Sequence, residues 1–173
     1  MARQPGKSPT GENEAVSSET AQHITAISLD ESSLTARTPQ LEHERQVAMN
    51  DLIEWNHFAI KQAQGPYTLI LKTAENRVTL TATSAHLKNS IALAIPLAPF
   101  RSIIRDYFII CESYFEAVKT GNMPRIEAID MSRRGLHNEG SDILTGLLAD
   151  KVDMDSETSR RLFTLLCVLH LKP

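Results

Sequence analysis

The densest concentration of chemistry-bearing side chains runs from Asp130 to Asp142, as Asp-Met-Ser-Arg-Arg-Gly-Leu-His-Asn-Glu-Gly-Ser-Asp. Arginine can clamp a carboxylate or phosphate with two parallel N–H bonds. Histidine is the side chain that changes charge nearest neutral pH. Read as one helix, spacings of four, three and four put Asp130, Arg134, His137 and Ser141 on one face. Read as two helices broken at Gly140, Ser141 opens the second, and its free N–H groups could meet an anion with Arg133 and Arg134 nearby. The candidate ligand or partner site is therefore Arg133, Arg134, His137, Asn138, Glu139 and Ser141. The simpler alternative is a set of ordinary ion pairs, a structural histidine, and a helix cap at Asn138 or Gly140.

A second polar set extends the candidate site. Arg101, Arg105 and Glu112 lie four and seven residues apart on a helix expected to start at Pro99, so they share a face. Arg160 and Arg161 open the last helix. If these faced the 133–139 segment, a concave arginine-rich patch would form. Salt bridging with Glu112, Glu116 or Asp106 is the blander reading.

Other chemistries lack a pattern. His137 and Glu139, two apart, diverge on a helix, and there is no His-x-x-x-His pair, so no metal and no cofactor is expected. There is no Gly-x-Ser-x-Gly elbow, glycine-rich phosphate loop or flanked catalytic cysteine. Acid–base work by His137 with Glu139 or Glu112 would need burial and a tuning partner. Cys111 and Cys167 sit in apolar helical stretches and read as buried, reduced thiols.

The elements that position these groups follow from periodicity. Residues 1–22, rich in Pro, Gly, Ser, Thr and Glu, read as a disordered tail before a single α+β domain over 23–173. A short strand covers Ile24–Leu29. Thr38-Pro39 caps and starts a helix to about residue 56, with Leu41, Val47, Ala48, Leu52 and Trp55 on its apolar side and Glu44 elsewhere on the wheel. Period-two alternation then marks three strands around Tyr67–Leu71, Val78–Ala82 and Ile91–Leu97, joined by a hairpin at Thr73-Ala-Glu-Asn76. They form an antiparallel meander, with the first strand expected as a fourth. Pro96 must lie at an end or edge of the sheet.

Beyond Pro99 the pattern is helical. One helix reaches Thr120 with Ile104, Phe108, Cys111, Phe115 and Val118 on its stripe, ended by Gly121. Another starts at Pro124. A last one is capped by Asp155 or Ser156 and buries Leu162, Leu165, Leu166 and Leu169. Strands first and helices after give an α+β fold: a three- to four-stranded antiparallel sheet with a C-terminal helical cluster on one face.

With 173 residues, 42% apolar, the chain is long enough for one ordinary core. Its net charge of −3 argues against nucleic acid as a partner. No signal peptide or membrane span is evident, so a cytoplasmic protein with no membrane association is expected. Leftover apolar residues such as Ile109, Ile110, Phe163 and Val168 leave a homodimer open.

The segments Ile103–Phe115 (IIRDYFIICESYF), Ile126–Ser141 (IEAIDMSRRGLHNEGS) and Ser159–His170 (SRRLFTLLCVLH), with LDES from Leu29 and LEHER at Leu41–Arg45, resemble uncharacterised protein family 0262. The resemblance covers nearly everything from Ile24 onward. It implies a small bacterial cytoplasmic protein, from a family known mainly in alphaproteobacteria, and it carries no activity or catalytic residues. The residues thus favour a non-enzymatic binding or regulatory protein, recognising a partner protein or an anionic small molecule. The alternative is a small enzyme acting on a phosphorylated or carboxylated metabolite.

Overall fold

In chain order the elements are β1 (Ile24–Leu29), α1 (Pro39–Glu54), β2 (Phe58–Ile60), β3 (Tyr67–Ala74), β4 (Arg77–Thr83) and β5 (Ile91–Pro96). A 3-10 turn (Ala98–Phe100) then leads into α2 (Arg101–Thr120), α3 (Met123–Leu148), β6 (Val152–Met154) and α4 (Ser156–Leu169). This computed structural model describes residues 21–30 and 38–170. The expected N-terminal tail lies outside the described residues except for Ala21 and Gln22. Of these, Ala21 is buried and the Gln22 carbonyl accepts from Phe58 N at 3.0 Å.

Alternation builds the main sheet. Tyr67, Leu69 and Leu71 of β3, Val78, Leu80 and Ala82 of β4, and Leu93 and Ile95 of β5 are buried, while Thr68, Ile70 and Lys72 face out. Antiparallel register sets Leu71 opposite Leu80 and Leu80 opposite Leu93, so the inward residues form continuous rows. Glu75 and Asn76 make the β3–β4 turn, and Pro96 ends β5 at the sheet edge. The strand order is β1-β3-β4-β5.

The first strand does join as a fourth, but β1 runs parallel to β3, pairing Ile27 with Leu69 and Leu29 with Leu71. A parallel neighbour needs a long crossover, and α1 with β2 lies within it. A second, two-stranded sheet was not expected: β2 and β6 pair antiparallel, burying Phe58 and Ile60 with Val152 and Met154.

The helix ends are built as their sequences dictate. Thr38 Oγ1 accepts from Leu41 N, Asp155 from Thr158 N, and Gly121 closes α2 at φ 67°. The buried stripes differ from expectation. On α1 the stripe is Glu44, Ala48 and Leu52, while Trp55 is 74% exposed. On α2 it is Ile103, Ile104, Tyr107, Cys111 and Ala117, a rotation that leaves Phe108 and Phe115 half-buried and Val118 exposed. Both cysteines are free and buried.

α3 is one unbroken helix through Gly135 and Gly140, so Ser141 opens no helix and its N–H belongs to the ladder. Gly140 is a packing requirement: a Cβ there would overlap the Phe163 ring. Next to it, Thr145 Oγ1 donates to Ser159 Oγ, which donates to the Ser141 carbonyl, fastening α3 to α4. α4 itself is buried on nearly every side, through Leu162, Phe163, Leu165, Leu166, Cys167 and Leu169. The inward faces of strands and helices meet in one hydrophobic cluster, an α+β fold with the C-terminal helices against the sheet.

Candidate functional site

The interior half of the 130–142 stretch is held by α1 and α2. Glu44, one α-helical turn before Ala48, points inward from α1 and is 9% exposed. Arg133 Nη2 lies 3.2 Å from Glu44 Oε1 and 3.3 Å from Oε2, and the guanidinium sits over the Tyr114 ring at 5.5 Å. The Tyr107 hydroxyl donates to Glu44 Oε2 over a long 3.5 Å. Burial is the largest single influence and opposes the Arg133 charge, but Glu44 acting together with Tyr107, Cys111 and Asp130 outweighs it and raises the pKa.

His137 lies behind this pair, its ring edge-on to Tyr107 with centroids 5.0 Å apart. Its Nδ1 is 3.1 Å from the Arg133 carbonyl and its Nε2 3.0 Å from Thr164 Oγ1. A carbonyl only accepts, so a neutral ring carries its proton on Nδ1, and the one Thr164 hydroxyl hydrogen is shared between Nε2 and the Arg160 carbonyl at 3.1 Å. Burial, reinforced by the positive charges of Arg133 and Arg160, lowers the imidazole pKa to about 4. The ring is therefore neutral near pH 7.

Burial also pushes the Tyr107 phenol up, with the charge of Glu44 contributing. The Cys111 thiol is pushed up to about 11 by burial and then by Glu44. Cys167 is raised as well, mainly by burial. Thiols so placed stay protonated and are poor nucleophiles.

Solvent reaches this region through a groove of about 290 Å³, walled by Leu41, Phe108, Cys111 and Phe115, with Glu44, Glu112 and Glu116 supplying carboxylates. A second groove of about 440 Å³ continues along α2 from Phe108 toward its N-terminus, over Leu97, Ile104 and Ile109, flanked by Arg101 and Arg105. Neither groove is lined by a side chain of the 130–142 stretch.

The expected site residues thus separate into three groups. Arg133, His137 and Ser141 are turned inward; Ser141 Oγ donates to the Ser156 carbonyl at 3.5 Å. Arg134, Asn138 and Glu139 are exposed on α3, Arg134 pairing with Asp130 at 2.9 Å. Arg101, Arg105 and Glu112 share the outward face of α2, as their spacing required. Arg101 donates to Asn76 Oδ1, and Arg105 lies 3.5 Å from Asp106. Arg160 and Arg161 both reach Glu157, Arg161 also approaches Asp51 at 3.9 Å, and Arg160 lies near enough to His137 for its charge to act on the ring.

Sequence reasoning missed Glu44, Tyr107 and Thr164. For Glu44 a signal existed, since residues 44, 48 and 52 recur every four positions. Among the described residues, no group of three His, Cys, Asp or Glu side chains could hold a metal ion.

No solved structure matches the chain. It is 51% identical over 150 residues to a UPF0262 protein of Rhodospirillum rubrum, covering 87% of this chain and 93% of the relative. With a UPF0262 protein of Hyphomonas neptunium it shares 47% identity, at 87% and 93% coverage. With one of Rhizobium etli it shares 51%, at 77% and 85%. The profile of the uncharacterised protein family UPF0262 matches residues 21–172, and the chain belongs to that family.

Proposed function

We propose that the protein is a non-catalytic binding or regulatory module of the cytoplasm that recognises a protein partner through the outward face of α2. The observation that carries this reading is the contrast between an inward Arg133–His137 region engaged by its own neighbours and two open, apolar-floored grooves meeting at Phe108. Such grooves seat apolar side chains, and the flanking Arg101, Arg105, Glu112 and Glu116 give register and selectivity. An acid–base enzyme would need His137 and at least two arginines converging on a common pocket. His137 instead bonds Thr164 and lines neither groove. No helix of the described residues is long and apolar enough to cross a membrane, which accords with the proposed cytoplasmic setting.

Photocrosslinking tests the reading. A benzoyl-phenylalanine at position 109, where Ile109 is 55% exposed, should give a discrete adduct in living cells. The same probe at the exposed Glu54 should not. Arg101→Glu with Arg105→Glu should remove the adduct while the far-UV circular dichroism stays that of the wild type. An adduct indifferent to those changes, or none at all, overturns the reading.

A further inference from the structure

The outward face of α2 carries its charges in a definite order. Arg101 and Arg105 come first, Phe108 and Ile109 lie in the middle, Glu112 and Glu116 follow, and Lys119 lies beyond them at the end of the helix. At 100° per residue the side chains named up to Glu116 fall on one stripe, and the four charged ones among them and Ile109 are exposed. Along that stripe from Arg101 to Glu116 the charges, two positive then two negative, are the complement of their own reverse.

An antiparallel copy of α2 centred between Phe108 and Ile109 would set Arg101 opposite Glu116 of the second copy and Arg105 opposite Glu112 of the second copy. Phe108 would face Ile109 of the second copy. Every contact then occurs twice, as two-fold symmetry demands. Helices packed about 8–10 Å apart leave Arg and Glu within reach across the seam. We infer that the protein forms a two-fold symmetric homodimer through antiparallel contact of α2 with α2 of a second copy. The inference rests on the α2 face being the binding surface and names its occupant.

The charges are available for this exchange. Glu116 is held by Lys119 at 3.1 Å and Arg105 by Asp106 at 3.5 Å, pairs in which every side chain is at least half exposed. Exposed pairs of this kind add little to stability and trade partners readily. The apolar centre supplies the association: Ile109 is 55% exposed, and Phe108 lines both grooves. Beside Ile109, a shallow hollow lined by Ile110, Ser132, Gly135 and Leu136 provides further apolar surface next to the seam.

Sedimentation equilibrium of the full chain tests the dimer. The wild type should sediment at twice the chain mass. Arg105→Glu alone, and Glu112→Arg alone, each place two like-charge pairs across the seam and should weaken association by about tenfold or more. Combining R105E with E112R restores opposite charges and should restore the dimer. A monomeric wild type, or a dimer that both single changes leave intact, overturns the inference. So does a double variant that stays dissociated while both single variants are folded. If the protein is monomeric yet the position-109 probe still captures a different protein in an Arg105-dependent way, the second copy falls as the occupant and the α2 binding reading stands.

Discussion

Two regions of the molecule use the same residue types to opposite ends. On α3, Arg133 and His137 turn inward, where Arg133 Nη2 meets Glu44 and the two His137 ring nitrogens meet the Arg133 carbonyl and Thr164. On α2, Arg101, Arg105, Glu112 and Glu116 turn outward beside open apolar grooves. The difference teaches that richness in arginine, histidine and glutamate does not by itself mark a binding surface. In the first region those groups hold three helices in register. In the second they remain accessible to something else.

The largest effect should come from splitting the inner pair. Glu44→Leu leaves the Arg133 charge largely buried without its counter-ion and should destabilise by about 3–5 kcal/mol in urea unfolding. Glu44→Leu with Arg133→Met should recover most of that loss, because replacing both members by apolar groups removes the uncompensated charge. Equal loss in the single and double variants would mean that the two do not act as a pair.

Acid should come next. His137 has a native pKa of about 4 against the ordinary 6.5, chiefly through burial, so the unfolded chain binds the proton more readily between those values. The stabilisation is fully present above pH 6.5 and is lost as pH falls toward 4, a difference of about 3 kcal/mol by linkage. His137→Gln should flatten the slope of unfolding free energy against pH across that window. An unchanged slope would assign the acid sensitivity elsewhere.

Two glycines of α3 sharpen the comparison along a single helix. Gly140→Ala drives a methyl group into the Phe163 ring and should cost about 1–3 kcal/mol. Gly135→Ala meets nothing within 4 Å and should instead stabilise by up to about 1 kcal/mol through helix propensity. Thermal unfolding of the two variants should therefore shift in opposite directions. The smallest effect on folding belongs to the outward face: Arg101→Ala and Arg105→Ala should leave the monomer within about 0.5 kcal/mol of wild type, as surface changes usually do.

The sequence made the meander readable because β3, β4 and β5 alternate strictly, and the helix ends readable because Thr38, Asp155 and Gly121 act through their own local chemistry. The β2–β6 pair was not readable: three-residue strands show no period, and Phe58 meets Met154 across almost a hundred residues. The parallel direction of β1 depends on where the crossover leads, which its six residues do not encode. Gly140 resembled a helix stop because a glycine's packing role is visible only beside Phe163. On α2 the apolar residues exceed one stripe, so the buried side was misplaced by about one position. The spacing of Arg101, Arg105 and Glu112 was legible nonetheless, while the inward turn of Arg133 depended on recognising Glu44 as an interior residue.

The enclosure of α4 has a consequence for how the chain reaches its native state. This helix is translated after every element it packs against, yet its leucines and Phe163 occupy the middle of the structure. A growing polypeptide on the ribosome therefore carries an open apolar slot until that segment emerges from the exit tunnel. During that interval the slot is exposed to wrong contacts, and chaperones that shield greasy surfaces would act there first.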